Sequence, residues 1–229
     1  MFYFDYYYIV LVIPALILSL AAQAFVKGAY KKYSGVKNSR GITGAMAAQM
    51  VLNANGVSDV AIAPIGGSLT DNFNPKTKVI SLSTGVYGST SIAAVGIACH
   101  EAGHACQHNE QYTPILLRNK LIPVCNIGST IGLPLAIVGW ILGFGSLVYI
   151  GIALYAAVFV FQVATLPVEF NASKRAINII AENRLLCGDE LEGAKKVLFA
   201  AAMTYVASMI VALANLLRFI MRFSGRDRR

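Results

Sequence analysis

The chain has 229 residues, of which 56% are hydrophobic and only 13% are charged. Because soluble domains carry roughly 25% charged residues, this composition excludes an ordinary soluble domain and favours a membrane protein. Lysine and arginine outnumber aspartate and glutamate by 19 to 11, which gives a net charge of +8. The cations flank apolar runs and form no single basic face, so we expect signals of membrane topology and no nucleic-acid partner.

The first apolar run covers residues 6–26, which is long enough to cross a bilayer, and it begins with tyrosines typical of the membrane interface. Asp5 precedes the run, and five cations follow it, namely Lys27, Lys31, Lys32, Lys37 and Arg40. A secretory signal peptide has the opposite charge order, so residues 1–26 are predicted to form a transmembrane helix. The positive-inside rule then places the amino terminus outside and residue 27 onward in the cytoplasm.

Residues 27–118 have the composition of a small cytoplasmic α+β region. Thr43 is a good N-cap and Asn55-Gly56 is a helix stop signal, so a helix is predicted between them. Strands are predicted at 60–63 and 78–83, with turn residues in between. The 78–83 strand precedes the histidine-rich segment, so we expect it to be an edge strand that binds an extended peptide. A core strand is the alternative.

All three histidines lie in one nonapeptide, His-Glu-Ala-Gly-His-Ala-Cys-Gln-His, at residues 100–108. Its first five residues match the pattern H-E-x-x-H, and the small apolar residues before it predict a buried helix. Positions i and i+4 share one face of a helix, so His100 and His104 can bind one metal ion, with Glu101 beside them as a general base. A structural histidine pair is the alternative, and the clustering of all the histidines favours zinc.

Residues 119–166 are predicted to form a transmembrane hairpin, with two apolar runs joined by an uncharged turn at 143–146. Glycine and proline in the first run are tolerated because neighbouring helices can satisfy the freed backbone groups. The region 197–229 contains a last apolar run at 197–217 and a basic tail. The positive-inside rule favours the cytoplasm both for the tail arginines and for the lysines before the run, but a spanning helix would place them on opposite sides of the membrane. We expect this run to span the membrane, with a re-entrant helix as the alternative.

A third metal ligand is expected in the region 167–196, which follows the hairpin. Pro167 fits the first turn of a helix, which places Glu169 near the helix start. A carboxylate from a second helix commonly completes an H-E-x-x-H ligand set, so Glu169 is the predicted third ligand. The alternative is a carboxylate that only interacts with the helix dipole. The later acids are expected to be solvated charges, namely Glu182, Glu190 and Glu192.

These motifs resemble the YugP-type family of membrane-bound zinc metallopeptidases, bacterial relatives of the HtpX-like gluzincins. The resemblance rests on the tyrosine-rich first span, the helix beginning at Thr43-Gly44, the turn at 67–75 with the strand after it, the block at 90–108, and the stretch Leu166-Pro-Val-Glu-Phe-Asn-Ala-Ser-Lys-Arg-Ala176. It implies that His100, His104 and Glu169 bind zinc and that Glu101 is the catalytic acid and base.

The chain departs from the family pattern at a few positions. Ser173 stands where the HtpX-like pattern has an aspartate four residues after the ligand glutamate, so the carboxylate that would support a histidine is absent there. Asn72 and Asn74 replace a histidine and an aspartate in the turn, so these two positions are not expected to be ligands.

Two further roles are predicted around the motif. No histidine follows His108, so Arg175 is the preferred candidate for stabilising an oxyanion, with Tyr112 and Tyr205 as alternatives. His108 lies eight residues beyond His100, and a helix rises about 12 Å over that length. His108 is therefore expected to support the site or the fold and not to bind the same metal ion.

Together these features predict a mainly α integral membrane protein with about four transmembrane helices and a small α+β, zincin-like cytoplasmic catalytic domain. The predicted function is a Zn²⁺-dependent endopeptidase of the bacterial plasma membrane. Its expected partners are the lipid bilayer and peptide or protein substrates, including membrane proteins, while its oligomeric state is left open. One alternative is a non-catalytic zinc-binding scaffold or assembly factor. Another is a transporter with an intramembrane metal site, which the uncharged hairpin argues against.

Overall fold

A computed structural model of the chain describes residues 5–224. The aromatic residues at positions 2–4 and the tail arginines at 226, 228 and 229 lie outside this range. Within it the elements are α1 (Ile13–Ser34), α2 (Gly44–Ala54), β1 (Ala61–Ile65), β2 (Asn72–Asn74), β3 (Val79–Ser83), α3 (Thr84–Tyr87), α4 (Ile92–Asn109), α5 (Thr113–Ile127), α6 (Leu133–Ile141), α7 (Gly145–Glu182) and α8 (Asp189–Ser224). π-Helical turns precede α1 at Tyr8–Val12 and join α5 to α6 at Gly128–Gly132.

Four helical segments are long and apolar enough to cross a membrane. They are Tyr8–Ser34, Thr113–Ile141, Gly145–Glu182 and Asp189–Arg222. The predicted mainly α fold class, with four long apolar helices and a small sheet, is thereby confirmed. The chain divides into two compact units. The helical unit contains residues 5–23, 116–167 and 204–224, and the mixed unit contains Ala24–Ile115 and Val168–Met203.

Small residues bring helices into close contact inside the helical unit. A Cβ atom placed on Gly151 would lie 2.5 Å from the carbonyl oxygen of Gly132, and one on Gly128 would lie 2.2 Å from that of Leu154. The first half of α7 therefore packs against the α5–α6 segment at backbone contact distance, as is common between membrane helices. The glycines that punctuate the predicted hairpin serve this packing.

The α7 helix runs without a break through the point where we predicted a new helix to begin. Pro167 lies in the interior of Gly145–Glu182 and not in a first turn. Proline in a helix interior removes one backbone hydrogen bond, which tertiary packing must offset. The residues just after it supply such packing, because Val168 and Ala172 are fully buried.

The α8 helix also begins earlier than the predicted apolar run, at Asp189. Asp189, Glu190 and Glu192 occupy its first turn, where negative charge interacts favourably with the positive end of the helix dipole. The stretch that we predicted to be merely solvated therefore contains a helix start. Acidic side chains at that start are part of the reason that it forms there.

In the mixed unit, local signals place the helix ends as predicted. Thr43 Oγ1 accepts a hydrogen bond from the Met46 N–H at 3.2 Å, and α2 ends before Gly56, whose φ of +66° is readily adopted only by glycine. The α4 helix begins in the same way, with Ser91 Oγ accepting from the Ala94 N–H at 3.2 Å. These caps fix where each helix starts along the chain.

The sheet has the strand order β1-β3-β2, so β3 is its central strand. Ile80 in β3 pairs with Ile62 of parallel β1 and with Phe73 of antiparallel β2. The prediction that the 78–83 strand is a peptide-binding edge strand is therefore wrong, because both of its edges are already paired. The segment predicted as a turn contains β2, whose asparagines are unfavourable in strands and gave no strand signal.

The α4 helix lies in the centre of the mixed unit, as its small apolar residues predicted. Ala98, Cys99 and Ala102 are fully buried. A Cβ atom on Gly103 would lie 3.0 Å from the carbonyl oxygen of Ala172, so α4 and α7 approach each other closely at this point. This close approach brings the histidine pair next to the segment of α7 that contains Glu169.

Candidate metal centre

Three side-chain atoms converge where α4 meets α7. His100 Nε2 lies 3.1 Å from His104 Nε2, and Glu169 Oε2 lies 3.3 Å from the first nitrogen and 3.6 Å from the second. Glu169 is 2% exposed and His104 is 8% exposed, so the group lies inside the protein. The structure thus brings together the three predicted ligands, and they form a group that could hold a metal ion.

The second nitrogen of each imidazole contacts a different polar side chain. His100 Nδ1 lies 3.1 Å from Ser173 Oγ, and His104 Nδ1 lies 3.0 Å from Gln107 Oε1. A proton on each Nδ1 can be donated to these oxygens, which leaves the lone pair of each Nε2 directed at Glu169. Two such nitrogens and one carboxylate oxygen match the donor set of catalytic zinc sites, so the residues present fit a zinc ion.

Gln107 is a site residue that the sequence analysis missed. Its side chain is fully buried, and its Nε2 donates hydrogen bonds of 2.9 Å to the carbonyl oxygen of Val168 and to Asn171 Oδ1. An amide can do this because it has an acceptor for His104 and two donors for α7. The available signal was a polar residue three positions after His104, on the same face of a helix that is otherwise apolar.

Negative charge accumulates around the histidine pair. Burial disfavours the charged form of His104, but the neighbouring carboxylates of Glu169 and Glu101 outweigh it, so the pKa of His104 is raised. Burial also raises the pKa of Glu101, although His100 and His104 oppose that shift. Two carboxylates beside two imidazoles, with Glu169 buried, form a favourable environment for a bound cation, which would compensate their charge.

Comparison with known proteins agrees with this geometry. The family model described as "Putative neutral zinc metallopeptidase" matches residues 8–224. The chain belongs to this family. It is also 47% identical over 221 residues to "Putative membrane protease YugP" of Bacillus subtilis (strain 168), a match that covers 96% of this chain and 98% of that protein. No solved structure matches the chain significantly.

The membership confirms the resemblance seen in the sequence and supports a protease role that involves zinc and a membrane. This chain was expected to lack the carboxylate that supports a histidine, because it has serine at position 173 where the HtpX-like pattern has aspartate. In the structure Ser173 nevertheless contacts His100, through a hydroxyl in place of a carboxylate. The shorter side chain is sufficient because α7 passes close to α4 here.

Arg175, the preferred candidate for stabilising an oxyanion, forms hydrogen bonds near the C-terminal end of α4. Its Nε donates to Asn171 Oδ1 and its Nη1 to Glu110 Oε1, both at 2.7 Å, and its guanidinium lies 5.9 Å from the centre of the Tyr112 ring. The same ion pair lowers the pKa of Glu110. A part for Arg175 or Tyr112 in oxyanion stabilisation stays a prediction, and Tyr205 belongs to the other unit.

The remaining predicted residues lie around β2. The His108 ring packs against Phe73, with ring centres 5.9 Å apart, and its Nδ1 is buried without a hydrogen-bond partner among residues 5–224. His108 is not part of the group formed by the two other histidines and Glu169. Asn72 and Asn74 are exposed and are also not part of that group.

Proposed function

We propose that this member of the family is an integral membrane endopeptidase that uses zinc held by His100, His104 and Glu169. The observation that carries the proposal is the convergence of the two Nε2 atoms and Glu169 Oε2 at 3.1–3.6 Å, with Glu101 next to the first histidine. Structural zinc sites normally have four protein ligands, whereas catalytic sites have three and an open position. This favours a peptidase over a zinc-binding scaffold or assembly factor.

Glu101 is the proposed proton carrier. Zinc, when bound, supplies a Lewis acid that acidifies water and polarises the scissile carbonyl. Glu101 accepts the proton of the attacking water and passes it to the leaving amine. Glu101 directly follows His100 in α4, and its carboxylate interacts with both proposed histidine ligands. Ser173 and Gln107 keep the imidazoles oriented throughout by holding their Nδ1 atoms.

We place the peptide substrate along β2 and not along β3. One edge of β2 is paired with β3, and β2 is the terminal strand of the three-stranded sheet described within residues 5–224. The contact between Phe73 and His108 joins this strand to α4, the helix with the proposed zinc ligands. Backbone hydrogen bonds to a strand edge bind an extended chain of any sequence, which suits an endopeptidase with protein substrates.

The bilayer is the second proposed partner. In the most apolar 18-residue stretch of each of the four long apolar segments, only 17–39% is buried within the protein. We therefore expect lipid to contact the remaining apolar surface. Asp5 accepts hydrogen bonds from Arg218 and Arg222, which offsets part of the positive charge that opposed a spanning α8. We therefore propose four spans in the plasma membrane, with both chain ends outside and the mixed unit in the cytoplasm.

The test compares wild type with Glu101→Gln in detergent, with Glu182→Gln as the control because Glu182 is exposed on α7. We expect all three proteins to retain about one zinc ion per chain. Hydrolysis of an unfolded casein-like substrate should fall by at least about 100-fold in Glu101→Gln alone. A wild type that holds zinc but cleaves nothing would favour the scaffold, and an active Glu101→Gln variant would refute the proton-carrier role.

A further inference from the structure

A cavity lies between α7 and α8 inside the mixed unit. Its volume is about 250 Å³, and its lining includes Phe170, Lys174 and Asn178 from α7 and Lys195, Phe199 and Ala202 from α8. None of the proposed zinc ligands is among its lining residues. The cavity is therefore distinct from the metal centre, and the proposed reaction does not use it.

The lining is ordered by polarity along the two helices. A short loop at 183–188 joins α7 to α8, so the helices run antiparallel and Phe170 lies level with Phe199 and Ala202. The lysines and Asn178 line the end nearer the loop. The rise of about 12 Å over eight helical residues separates the two ends. Ile177 and Leu198 also line the cavity, so the lining is mainly apolar and its charged residues are the two lysines. We call the part beside Phe170, Phe199 and Ala202 the apolar end and the part beside the two lysines the cationic end.

The apolar end carries aromatic side chains that water solvates poorly. Phe170 is 42% exposed and Phe199 is 55% exposed. They lie near the points where the long apolar runs of α7 and α8 end, which is where aromatic residues gather at membrane interfaces. Exposed aromatic surface beside a cavity indicates a partner that covers it, and the position in the chain indicates lipid.

The cationic end has an excess of positive charge. Lys174 is exposed and has no ion-pair partner among the residues that the structure describes. Lys195 pairs with Glu192 at 2.7 Å, so the two lysines of the lining are balanced by one carboxylate. An anionic group is the complement to this end of the cavity, just as hydrocarbon is the complement to the other.

We propose that the cavity binds an anionic phospholipid, with its phosphate at Lys174 and Lys195 and the first part of an acyl chain against Phe170 and Phe199. Sites that enclose a whole ligand have volumes of roughly 300–1,000 Å³, so this smaller cavity holds the head and the adjoining carbons while the rest of the chain stays in the bilayer. The inference rests on the membrane location proposed above and is independent of the peptidase chemistry.

The position of Ser173 distinguishes this occupant from a peptide substrate. Ser173 lines the cavity, and its Oγ contacts His100 Nδ1 at 3.1 Å, on the side of the ring away from Nε2. His100, Glu101 and Glu169 are not among the lining residues, so a molecule in the cavity contacts Ser173 and none of these three. A scissile bond held there would not contact Glu101, the proposed proton carrier. The cavity is therefore separate from the metal centre, and Ser173 connects the two because it lines the cavity and contacts His100.

The experiment measures lipid binding by the full chain after removal of zinc with a chelator, so the result does not depend on catalysis. Delipidated protein is titrated with fluorescent phosphatidylglycerol and with phosphatidylcholine. Wild type should prefer phosphatidylglycerol, and Lys174→Gln/Lys195→Gln should bind it roughly 30-fold more weakly, from the usual effect of two lysines near an anionic headgroup. The Lys37→Gln/Lys76→Gln control loses the same charge at two exposed lysines outside the cavity and should bind normally.

The double arginine variant, Lys174→Arg/Lys195→Arg, should restore binding if charge at these positions is responsible. Equal binding of both lipids by wild type, or an equal loss in the control, would overturn the proposal in favour of non-specific attraction. Equal binding of glycerol phosphate would overturn the assignment to a lipid in favour of a soluble anion. Membrane fractionation of the same proteins tests the proposed membrane location separately, and thermal unfolding in detergent reports whether the variants are folded.

Discussion

Gln107 Nε2 donates a hydrogen bond of 2.9 Å to the carbonyl oxygen of Val168, the residue immediately before Glu169. The oxygen of the same amide contacts His104 Nδ1 at 3.0 Å. One fully buried side chain thus connects the helix that bears the histidines to the helix that bears the carboxylate, beside both proposed ligands. The spacing between the ligands therefore depends on a residue that binds no metal.

Replacing Gln107 with methionine should weaken zinc binding by about 10–100-fold, the usual range when a partner of a metal ligand is removed. Methionine keeps the volume but has neither the acceptor for His104 nor the donors for α7. Gln107→Glu keeps the acceptor and loses both donors, so it should also bind zinc more weakly. Competition with a chromophoric chelator measures the affinity, and Gln49→Met on the exposed face of α2 is the control. Unchanged affinity in both variants would contradict the positioning role.

Glu169→Gln should abolish stoichiometric zinc binding, because the amide removes the negative charge from a buried site with two neutral imidazole ligands. Metal analysis after dialysis against a mild chelator gives the zinc content. Glu182→Gln removes a carboxylate from the exposed end of the same helix and should leave the zinc content unchanged. Full zinc retention by Glu169→Gln would assign the third ligand to another residue.

Alanine substitutions at two glycines of α4 should have different effects on the stability of the protein. A Cβ atom on Gly103 would lie 3.0 Å from the carbonyl oxygen of Ala172, whereas one on Gly96 would make an ordinary contact of 3.5 Å with Ala194. Gly103→Ala should force α7 away and destabilise the protein by about 1–3 kcal/mol. Gly96→Ala should be neutral or stabilising, since alanine favours a helix by about 1 kcal/mol. Thermal unfolding in detergent compares the two, and equal melting temperatures would refute the close-packing argument.

Chemical labelling of cysteines should report the membrane topology. Cys187 is exposed in the loop between α7 and α8, whereas Cys99 and Cys106 are buried, and burial raises the pKa of Cys106 to about 11. In a Cys125→Ser background, an impermeant maleimide should label Cys187 only after the cells are opened. A Phe144→Cys variant, in the turn before α7, should be labelled in intact cells. The reverse pattern would place the mixed unit outside.

The ion pair between Glu110 and Arg175 should give a small pH-dependent contribution to stability. Arg175 lowers the pKa of Glu110 in the folded state, so the contribution is fully present above the unfolded value of about 4.3 and is lost as the pH falls through the lower folded value. Glu110 is 47% exposed, which limits the effect to about 0.5 kcal/mol. Glu110→Gln should melt slightly lower than wild type at pH 7, and the two should converge in strong acid. A constant difference would exclude this origin.

Local patterns in the sequence carried the prediction of the histidine pair. The i and i+4 spacing and the threonine cap depend on neighbours within a turn or two, so α2 was predicted with nearly its observed ends and α4 was predicted as the buried helix that contains the histidines. Glu169 was also placed in the correct helix, although Pro167 suggested a helix start that the packing of Val168 overrides.

Long-range pairing explains what the sequence did not reveal. The strand order of the sheet depends on the pairing of β2 with β3. The asparagines of β2 have a low strand propensity, so the sequence showed no periodic pattern that would predict this strand. The role of Gln107 depends on the approach of α7, which lies more than sixty residues away in the chain. A polar residue in an apolar helix was visible in the sequence, but its partners were not.

The segment Leu116–Pro167 of the helical unit separates His104 from Glu169 along the chain. During synthesis the two histidines therefore leave the ribosome before the hairpin, and Glu169 leaves after it. Under the function proposed above, this order would set the time of activation, because the proposed ligand set is complete only once residues 116–167 have been made and α7 has packed against α4. The proposed activity would then be absent from a nascent chain until Glu169 has been synthesised.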